Sequence, residues 1–149
     1  MVPRYVRLDD GVPTRMTEEE VKPIVLAAMT YYVDTLKSEY GEFIVSPEEA
    51  TERSLKEHYI VLINGEYLLA YILGTEWYAK GYVLSEEYLI RVRKGPTTLS
   101  DVFSVMKALA LIHGARGCQI GTRAAKNKEA IRRLYQRHGS TETMTVMRF

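Results

Sequence analysis

The stretch from Cys118 to Gly139, CQIGTRAAKNKEAIRRLYQRHG, combines a short strand with a helix that has one apolar and one basic face. The strand is predicted over residues 117–122, and Asn127 has the side chain of a helix N-cap. After Asn127, apolar and aromatic residues return at helical spacing and define an inner face: Ala130, Ile131, Leu134, Tyr135 and His138. The outer face is polar and mostly basic: Lys128, Arg132, Arg133, Gln136 and Arg137. The stretch therefore predicts a strand, a turn and an amphipathic helix that Gly139 ends.

The chain just before this stretch predicts a long strand and a buried helix. Residues 82–93 form the strand, and three of its side chains share one face: Tyr88, Ile90 and Val92. Gly95-Pro96-Thr97-Thr98 breaks the strand. Residues 99–113 are apolar on most sides, with Lys107 the mid-helix charge. A helix of this kind belongs at the centre of a domain, packed against a sheet.

Further upstream, two apolar runs at residues 59–63 and 67–73 flank Asn64-Gly65. This dipeptide tolerates positive φ at both turn positions, so the segment predicts a β-hairpin.

The N-terminal part predicts one strand and two helices. Residues 4–8 alternate enough for a short strand, which Asp9-Asp10-Gly11 ends. Residues 17–20 read as a capping box, and the helix that follows either starts near Pro23 or is bent there. A second helix begins at Ser46-Pro47 and runs to about residue 56.

Residues 141–149 alternate Thr, Met and Val and predict a last strand. The elements then follow the order β-α-α-β-β-β-α-β-α-β. This order indicates an α/β fold in which a mixed β-sheet is flanked by helices. At 149 residues, the chain is expected to form one domain over residues 1–149.

Composition excludes several classes of protein. The formal net charge is +1, whereas nucleic-acid-binding domains usually carry a strong basic excess. The longest apolar run, residues 23–29, is too short to cross a membrane. The N-terminus has no apolar signal segment, and the single cysteine, Cys118, cannot form an internal disulfide. These features predict a cytoplasmic protein that binds neither nucleic acid nor membrane.

The element order resembles that of the GNAT superfamily of N-acetyltransferases. The likeness extends to the sequence, where Asn127, Ala130-Ile131, Leu134-Tyr135 and Gly139 stand at the spacing of a common family ending, N-x-x-A-[hydrophobic]-x-x-[hydrophobic]-Tyr-x-x-x-Gly. The resemblance implies transfer of an acetyl group from acetyl-CoA to an amine on a small molecule or a protein, without a metal ion.

The resemblance also implies where the cofactor lies. In this family the diphosphate binds at the N-terminus of the central helix, and the pantetheine arm lies in a splay between the fourth and fifth strands. The splayed strands correspond to residues 87–92 and 117–122, and the helix N-terminus to residues 94–100. The residues expected to bind the cofactor are Ile90, Val92, Arg93, Lys94, Gly95, Thr97, Thr98 and Asn127.

Two kinds of side chain are expected to perform the chemistry. Tyr135 corresponds to the tyrosine that protonates the departing thiolate, and Glu86 or Glu87 stands where some relatives place the base that takes the amine proton. Each residue also has a purely structural interpretation: a core tyrosine for Tyr135, an N-cap for Asn127, and exposed strand carboxylates for the two glutamates.

Two departures from the family pattern leave the function open. The family's phosphate loop follows Q/R-x-x-G-x-G/A, whereas this chain has Val92-Arg93-Lys94-Gly95-Pro96-Thr97, in which the proline removes a backbone donor. After Gly139 there is room for one strand instead of two, and its edge is expected to pair with a second copy or another protein. The alternative to an enzyme is a GNAT-shaped binding or structural protein without catalysis, such as a bacteriophage virion component.

Overall fold

The computed structural model describes residues 2–121 and 128–139. Within them the helices are α1 (Glu18–Tyr40), α2 (Pro47–Glu57), α3 (Leu99–Ile112) and α4 (Lys128–Arg137), with a 3-10 turn at Gly41–Phe43. The strands are β1 (Tyr5–Asp9), β2 (Val12–Arg15), β3 (Tyr59–Ile63), β4 (Tyr67–Gly74), β5 (Val83–Arg91) and β6 (Cys118–Gln119). The strand predicted over residues 141–149 and the predicted N-cap Asn127 lie outside the described residues.

The strands of this part of the chain form one mixed sheet in the order β2-β1-β3-β4-β5-β6. β1 runs parallel to β3 and β5 runs parallel to β6, while the other neighbours are antiparallel. The α/β fold class expected from the sequence, a mixed sheet flanked by helices, is confirmed.

Strand β2 was not predicted from the sequence, which predicted only that Asp9-Asp10-Gly11 ends the first strand. All four residues of β2 are exposed and the second is Pro13, so no alternating pattern marks the strand. Proline is tolerated because β2 is the outer strand of the sheet. Asp10 and Gly11 have φ angles of 46° and 82° and fold β2 back onto β1.

The two N-terminal helices begin at their predicted caps. Thr17 and Glu20 form a reciprocal capping box, so α1 begins at Glu18 and continues through Pro23. A helix start near Pro23 is therefore excluded. The Ser46 side chain accepts the Glu49 N–H at 3.1 Å and begins α2, as predicted.

Alternation along the central strands sends their side chains to two separate cores. One core packs α1 and α2 on the sheet and includes these strand residues: Ile60, Leu62, Leu68, Ala70, Tyr88 and Ile90. The other core packs α3 and α4 on the opposite face and includes these: Val61, Ile63, Tyr67, Leu69, Tyr71 and Leu84. Helices α3 and α4 therefore lie over the same face of β4 and β5.

Strand β5 contains a bulge in its middle. Ala70 of β4 pairs with Tyr88, but the next residue, Tyr71, pairs with Glu86, so Glu87 is an extra residue in β5. A bulge of this kind bends the strand and increases its local twist. It lies directly after the two residue pairs that join β5 to β6, so the described ladder between these strands ends at this point.

Candidate functional site

The candidate site lies where β5 and β6 separate. Within the described residues, the two strands pair only at Leu84 with Cys118 and at Ser85 with Gln119. Beyond these pairs β5 enters its bulge, and the chain after β6 continues to Gly121. A closed ladder leaves no backbone groups for a ligand, whereas this separation leaves backbone groups of β5 that a ligand can reach.

Tyr135 of α4 lies at the mouth of this separation. Its ring packs edge-on against Phe103 of α3 with centroids 5.0 Å apart, and the residue is 7% exposed. Its hydroxyl donates a hydrogen bond to the Gly121 carbonyl oxygen at 2.7 Å. Burial, and secondarily the charge of Glu86, raises the pKa of Tyr135. The phenol is therefore protonated at neutral pH and can act as a proton donor.

The Glu86 side chain, on β5, lies near Gly121. A Cβ atom added to Gly121 would lie 3.8 Å from Oε2 of Glu86. Glu86 is half-buried, whereas Glu87, the extra residue of the bulge, is exposed. The structure thus brings Glu86 and Tyr135 together at Gly121 and leaves Glu87 at the surface.

Gly121 was not predicted as a site residue. The signal in the sequence was a glycine inside a predicted strand, which often marks a place where another part of the molecule approaches the backbone closely.

The backbone of β5 beyond the bulge alternates between two directions. The Val92 N–H bonds to the Glu66 carbonyl oxygen at 2.8 Å, on the side of β4. In an antiparallel ladder the peptide groups of alternate residues face alternate sides, so those of Ile90 also point to β4. Leu89 and Arg91 then present their backbone groups on the side away from β4, where no strand of residues 2–121 and 128–139 pairs with them. The backbone groups of Ile90 and Val92, the residues predicted to bind the cofactor, face β4 instead. The Ile90 side chain lies in the core under α1 and α2.

A buried carboxylate, that of Glu66, lies near the other end of β5, where the chain leads into α3. The residue follows the Asn64-Gly65 turn and is 3% exposed. Its carboxylate accepts the Thr97 N–H at 3.0 Å and the Thr97 hydroxyl at 2.5 Å, just before α3 begins. The hydrogen bond from the Thr97 side chain, supported by the charges of Arg91 and Arg93, lowers the pKa of Glu66 despite its burial. A negative charge of the protein itself therefore lies at the positive end of α3.

Other backbone donors of the loop that leads into α3 are also engaged. The Glu66 carbonyl oxygen accepts the N–H groups of Val92 and Arg93 at 2.8 and 3.3 Å. The Thr98 N–H bonds to a carboxylate oxygen at 2.8 Å in the capping box of α3, and the loop's proline has no N–H. Counting the amide held by the Glu66 carboxylate, five of the seven residues 92–98 offer no backbone donor to a ligand.

The remaining residues predicted to bind phosphate in this loop serve the same internal network or face solvent. The Arg93 guanidinium donates to the Asn64 carbonyl oxygen at 3.3 Å, and Lys94 is exposed. A Cβ atom added to Gly95 would lie 2.1 Å from Oε1 of Glu66. Gly95 is therefore needed to make room for the buried carboxylate.

Comparison with known proteins adds a fold likeness. No protein-family model matches the chain, and no curated protein matches it. A solved structure that is similar is the crystal structure of a putative acetyltransferase from Arthrobacter sp. FB24, with a TM-score of 0.58 and 17% sequence identity over 89% of this chain and 86% of that chain. The chain has an acetyltransferase-like fold. At this identity the likeness concerns the fold and not the reaction.

An acyl-CoA has two parts, and the residues of this acetyltransferase-like fold suit them differently. The pantetheine arm is an extended chain of amides, which suits an open strand edge such as the backbone of Leu89 and Arg91. The diphosphate requires several free N–H donors at a helix N-terminus. Around α3, Glu66 holds the Thr97 N–H, and the capping box holds those of Thr98 and Asp101. The described edge of β5 therefore suits the arm, whereas the start of α3 offers a diphosphate a reduced set of donors beside a buried carboxylate.

A second polar cluster lies on the opposite face of the sheet. The Ser54 hydroxyl is 2.8 Å from His58 Nδ1 and 2.8 Å from the Tyr88 hydroxyl, and burial lowers the pKa of His58. A serine beside a histidine is an arrangement that nucleophilic enzymes use. The Ser54 hydroxyl is buried and bonded to both His58 and Tyr88, however, and the cluster joins α2 to β5.

Among residues 2–121 and 128–139, no group of three or more His, Cys, Asp or Glu side chains is arranged to hold a metal ion. Of the helices in these two ranges, none combines the length and the apolar character that crossing a membrane demands.

Proposed function

We propose that this protein transfers an acyl group from a pantetheine thioester to an amine of a small molecule or a protein, acetyl-CoA being the donor that the fold suggests. The observation that carries the proposal is that the Tyr135 hydroxyl and the Glu86 carboxylate converge on Gly121. Both lie where the sheet opens, at the end of the ladder between β5 and β6.

In this proposal a thioester bound along the β5 edge supplies an activated carbonyl carbon and a sulfur leaving group. Glu86 accepts the proton that the attacking amine loses, directly or through a water molecule. Tyr135 gives its hydroxyl proton to the sulfur as the carbon–sulfur bond breaks. The Gly121 carbonyl oxygen holds the phenol in one orientation, at 2.7 Å. Burial raises the pKa of Tyr135, which keeps the phenol protonated at neutral pH, and the phenolate left after the transfer regains its proton from water.

Binding and turnover can be tested separately. Acetyl-CoA and acetyl-pantetheine at millimolar concentration are expected to raise the melting temperature, because a ligand that binds only the native state stabilises it. The protein is then incubated with each donor and a panel of polyamines, aminoglycosides and peptides with free amines, and thiol release is recorded. Release that depends on the amine supports the proposal. A melting temperature that neither donor changes contradicts it.

The second candidate function is a binding or structural protein without catalysis, such as a virion component. The observation that favours it is the engagement of the α3 N-terminal donors by the protein itself. The edge strand predicted at residues 141–149 would then provide a surface for a second copy or another protein. This candidate predicts no thiol release with any amine, together with a particle mass above that of one chain by light scattering.

A further inference from the structure

The hairpin turn formed by Asn64, Gly65 and Glu66 is bound to the loop before α3 through both of its polar side chains. Asn64 Nδ2 donates to Thr97 Oγ1 at 3.0 Å, and Thr97 Oγ1 donates to the Glu66 carboxylate. The turn also supplies two carbonyl acceptors, because Asn64 O accepts from the Arg93 guanidinium and Glu66 O accepts loop N–H groups. The Glu66 carboxylate is therefore held in place by several independent contacts.

The nearest cation is directed at the same carboxylate. Arg91 Nη2 lies 3.7 Å from Glu66 Oε1 and donates to the Gly95 carbonyl oxygen at 2.6 Å. Arg91 Nη1 donates to the Tyr67 hydroxyl at 2.8 Å. The charge of Arg91 is thus engaged within the protein, and an anion arriving at this end of α3 would meet the Glu66 carboxylate at the Thr97 N–H.

We propose that Glu66 is a specificity-determining residue that excludes a diphosphate from the N-terminus of α3. The statement about the acyl donor rests on the proposed function, whereas the exclusion of an anion by Glu66 does not. The donor class that follows is acyl-pantetheine thioesters with or without a nucleotide attached. The protein then binds the acyl donor through the pantetheine arm along β5, and the diphosphate of an acyl-CoA does not contact the N-terminus of α3.

The unmutated protein provides the first test. Acetyl-CoA and acetyl-pantetheine are expected to bind with dissociation constants within about threefold of each other, because only the part they share is held. Their difference is also expected to depend little on salt concentration. Titration calorimetry checks both points. Acetyl-CoA binding more than about tenfold tighter, with a strong loss at high salt, would overturn the proposal, since the diphosphate would then contribute to binding.

The second test uses inorganic pyrophosphate and needs no acyl transfer. The unmutated protein is expected to show no change in melting temperature at millimolar pyrophosphate. Glu66→Ala removes the carboxylate and exposes the Thr97 N–H, and its pyrophosphate affinity is expected to rise by at least about tenfold. Glu52→Ala is the matched control, because Glu52 is an exposed glutamate paired with Lys22 and its loss changes the net charge equally.

Glu66→Gln covers the case in which Glu66→Ala does not fold, as judged by circular dichroism. The glutamine oxygen can still accept the Thr97 N–H, so only the charge is lost, and a gain of about threefold or more is expected. No gain in any folded Glu66 variant overturns the proposal, and so does pyrophosphate binding by the unmutated protein. If neither thioester binds the unmutated protein, the proposed acyl transfer fails, and the pyrophosphate result still decides the role of Glu66.

Discussion

The two ends of β5 carry similar kinds of residue but use them differently. At the end beside β6, the Tyr135 hydroxyl donates to the Gly121 carbonyl oxygen and the Glu86 carboxylate lies near the same glycine, next to an interrupted ladder. At the other end, the hydroxyl and amide of Thr97 are bonded to the buried Glu66. The first, the open end, places polar side chains beside an interrupted ladder, and the second, the closed end, places a buried carboxylate at the start of α3. Hydrogen-bond partners occur at both ends, so what distinguishes them is where the polar groups lie: beside an opening in the described sheet, or within a buried network.

The largest effect is expected at the open end, from Tyr135→Phe. If the phenol protonates the leaving sulfur, its loss is expected to lower kcat by about 10²–10⁴-fold, the usual contribution of a positioned proton donor. Donor affinity should be unchanged, because the ring and its packing on Phe103 remain. Steady-state kinetics with a responsive amine, together with calorimetry for the donor, measures both.

Tyr5→Phe is the matched control for this substitution. The Tyr5 hydroxyl also donates to a backbone carbonyl oxygen, that of Leu55, at 2.6 Å, but it lies on the α1/α2 side of the sheet. Tyr5→Phe is expected to leave kcat unchanged. Equal turnover in both variants would remove Tyr135 from the chemistry and leave it as a core residue.

The next effect separates the two carboxylates of the bulge. Glu86→Gln is expected to lower kcat by about 10–10²-fold or more and to remove the rise of kcat with pH that a general base produces as it loses its proton. Glu87→Gln is expected to change kcat by less than about threefold, because Glu87 is exposed and does not face Gly121. A pH–rate profile of each variant distinguishes them. If Glu87→Gln has the larger effect, Glu87 and not Glu86 is the carboxylate that faces the site at Gly121.

The sequence predicted most of the fold because its signals are local. Capping at Thr17 and Ser46 and the Asn64-Gly65 turn each depend on residues adjacent in the chain, and each appears in the structure. Strand β2 was missed because an exposed edge strand that contains Pro13 has no apolar side to form a pattern. Its position depends on β1, which supplies all of its pairing partners.

The candidate site was less predictable, since its features depend on contacts between distant residues. Glu66 lies 31 residues before Thr97, and nothing local indicates that its carboxylate reaches the start of α3. Gly121 acquires its importance only when α4 places Tyr135 over it. The side to which the peptide groups of β5 point follows from one hydrogen bond, from the Val92 N–H to the Glu66 carbonyl oxygen. The periodicity of side chains cannot reveal this.

A smaller effect, on stability, is expected from Gly95→Ala at the closed end. The new Cβ would lie 2.1 Å from Oε1 of Glu66, so the carboxylate must move away from Thr97. The melting temperature is expected to fall by several degrees, roughly 2–8 °C. Gly117→Ala is the control, because a Cβ there meets nothing within 4 Å. Scanning calorimetry compares the two. An unchanged melting temperature for Gly95→Ala would mean that the Glu66 carboxylate can move away from Thr97 without a loss of stability.

The smallest effect, on acetyl-CoA binding, is expected from replacing the loop cations Arg93 and Lys94. If Arg93 or Lys94 held a diphosphate, each charge-assisted contact would contribute about 1.5–3 kcal/mol, and an alanine substitution would weaken acetyl-CoA binding by more than about tenfold. In the structure Arg93 instead donates to the Asn64 carbonyl oxygen, and Lys94 is exposed. Arg93→Ala and Lys94→Ala are therefore each expected to change the dissociation constant by less than about threefold.

The control for the loop cations is Arg53→Ala, which removes an exposed arginine paired with Glu49 on α2 and so lowers the net charge by the same amount. Calorimetric titrations with acetyl-CoA at about 50 mM and about 200 mM salt separate a specific contact from a general field, since distant charges are screened over roughly 7–14 Å in this range. If Lys94→Ala or Arg93→Ala weakens binding about tenfold while Arg53→Ala does not, the loop holds the diphosphate. The two ends of β5 would then act on one ligand together, with Glu66 displaced when it binds.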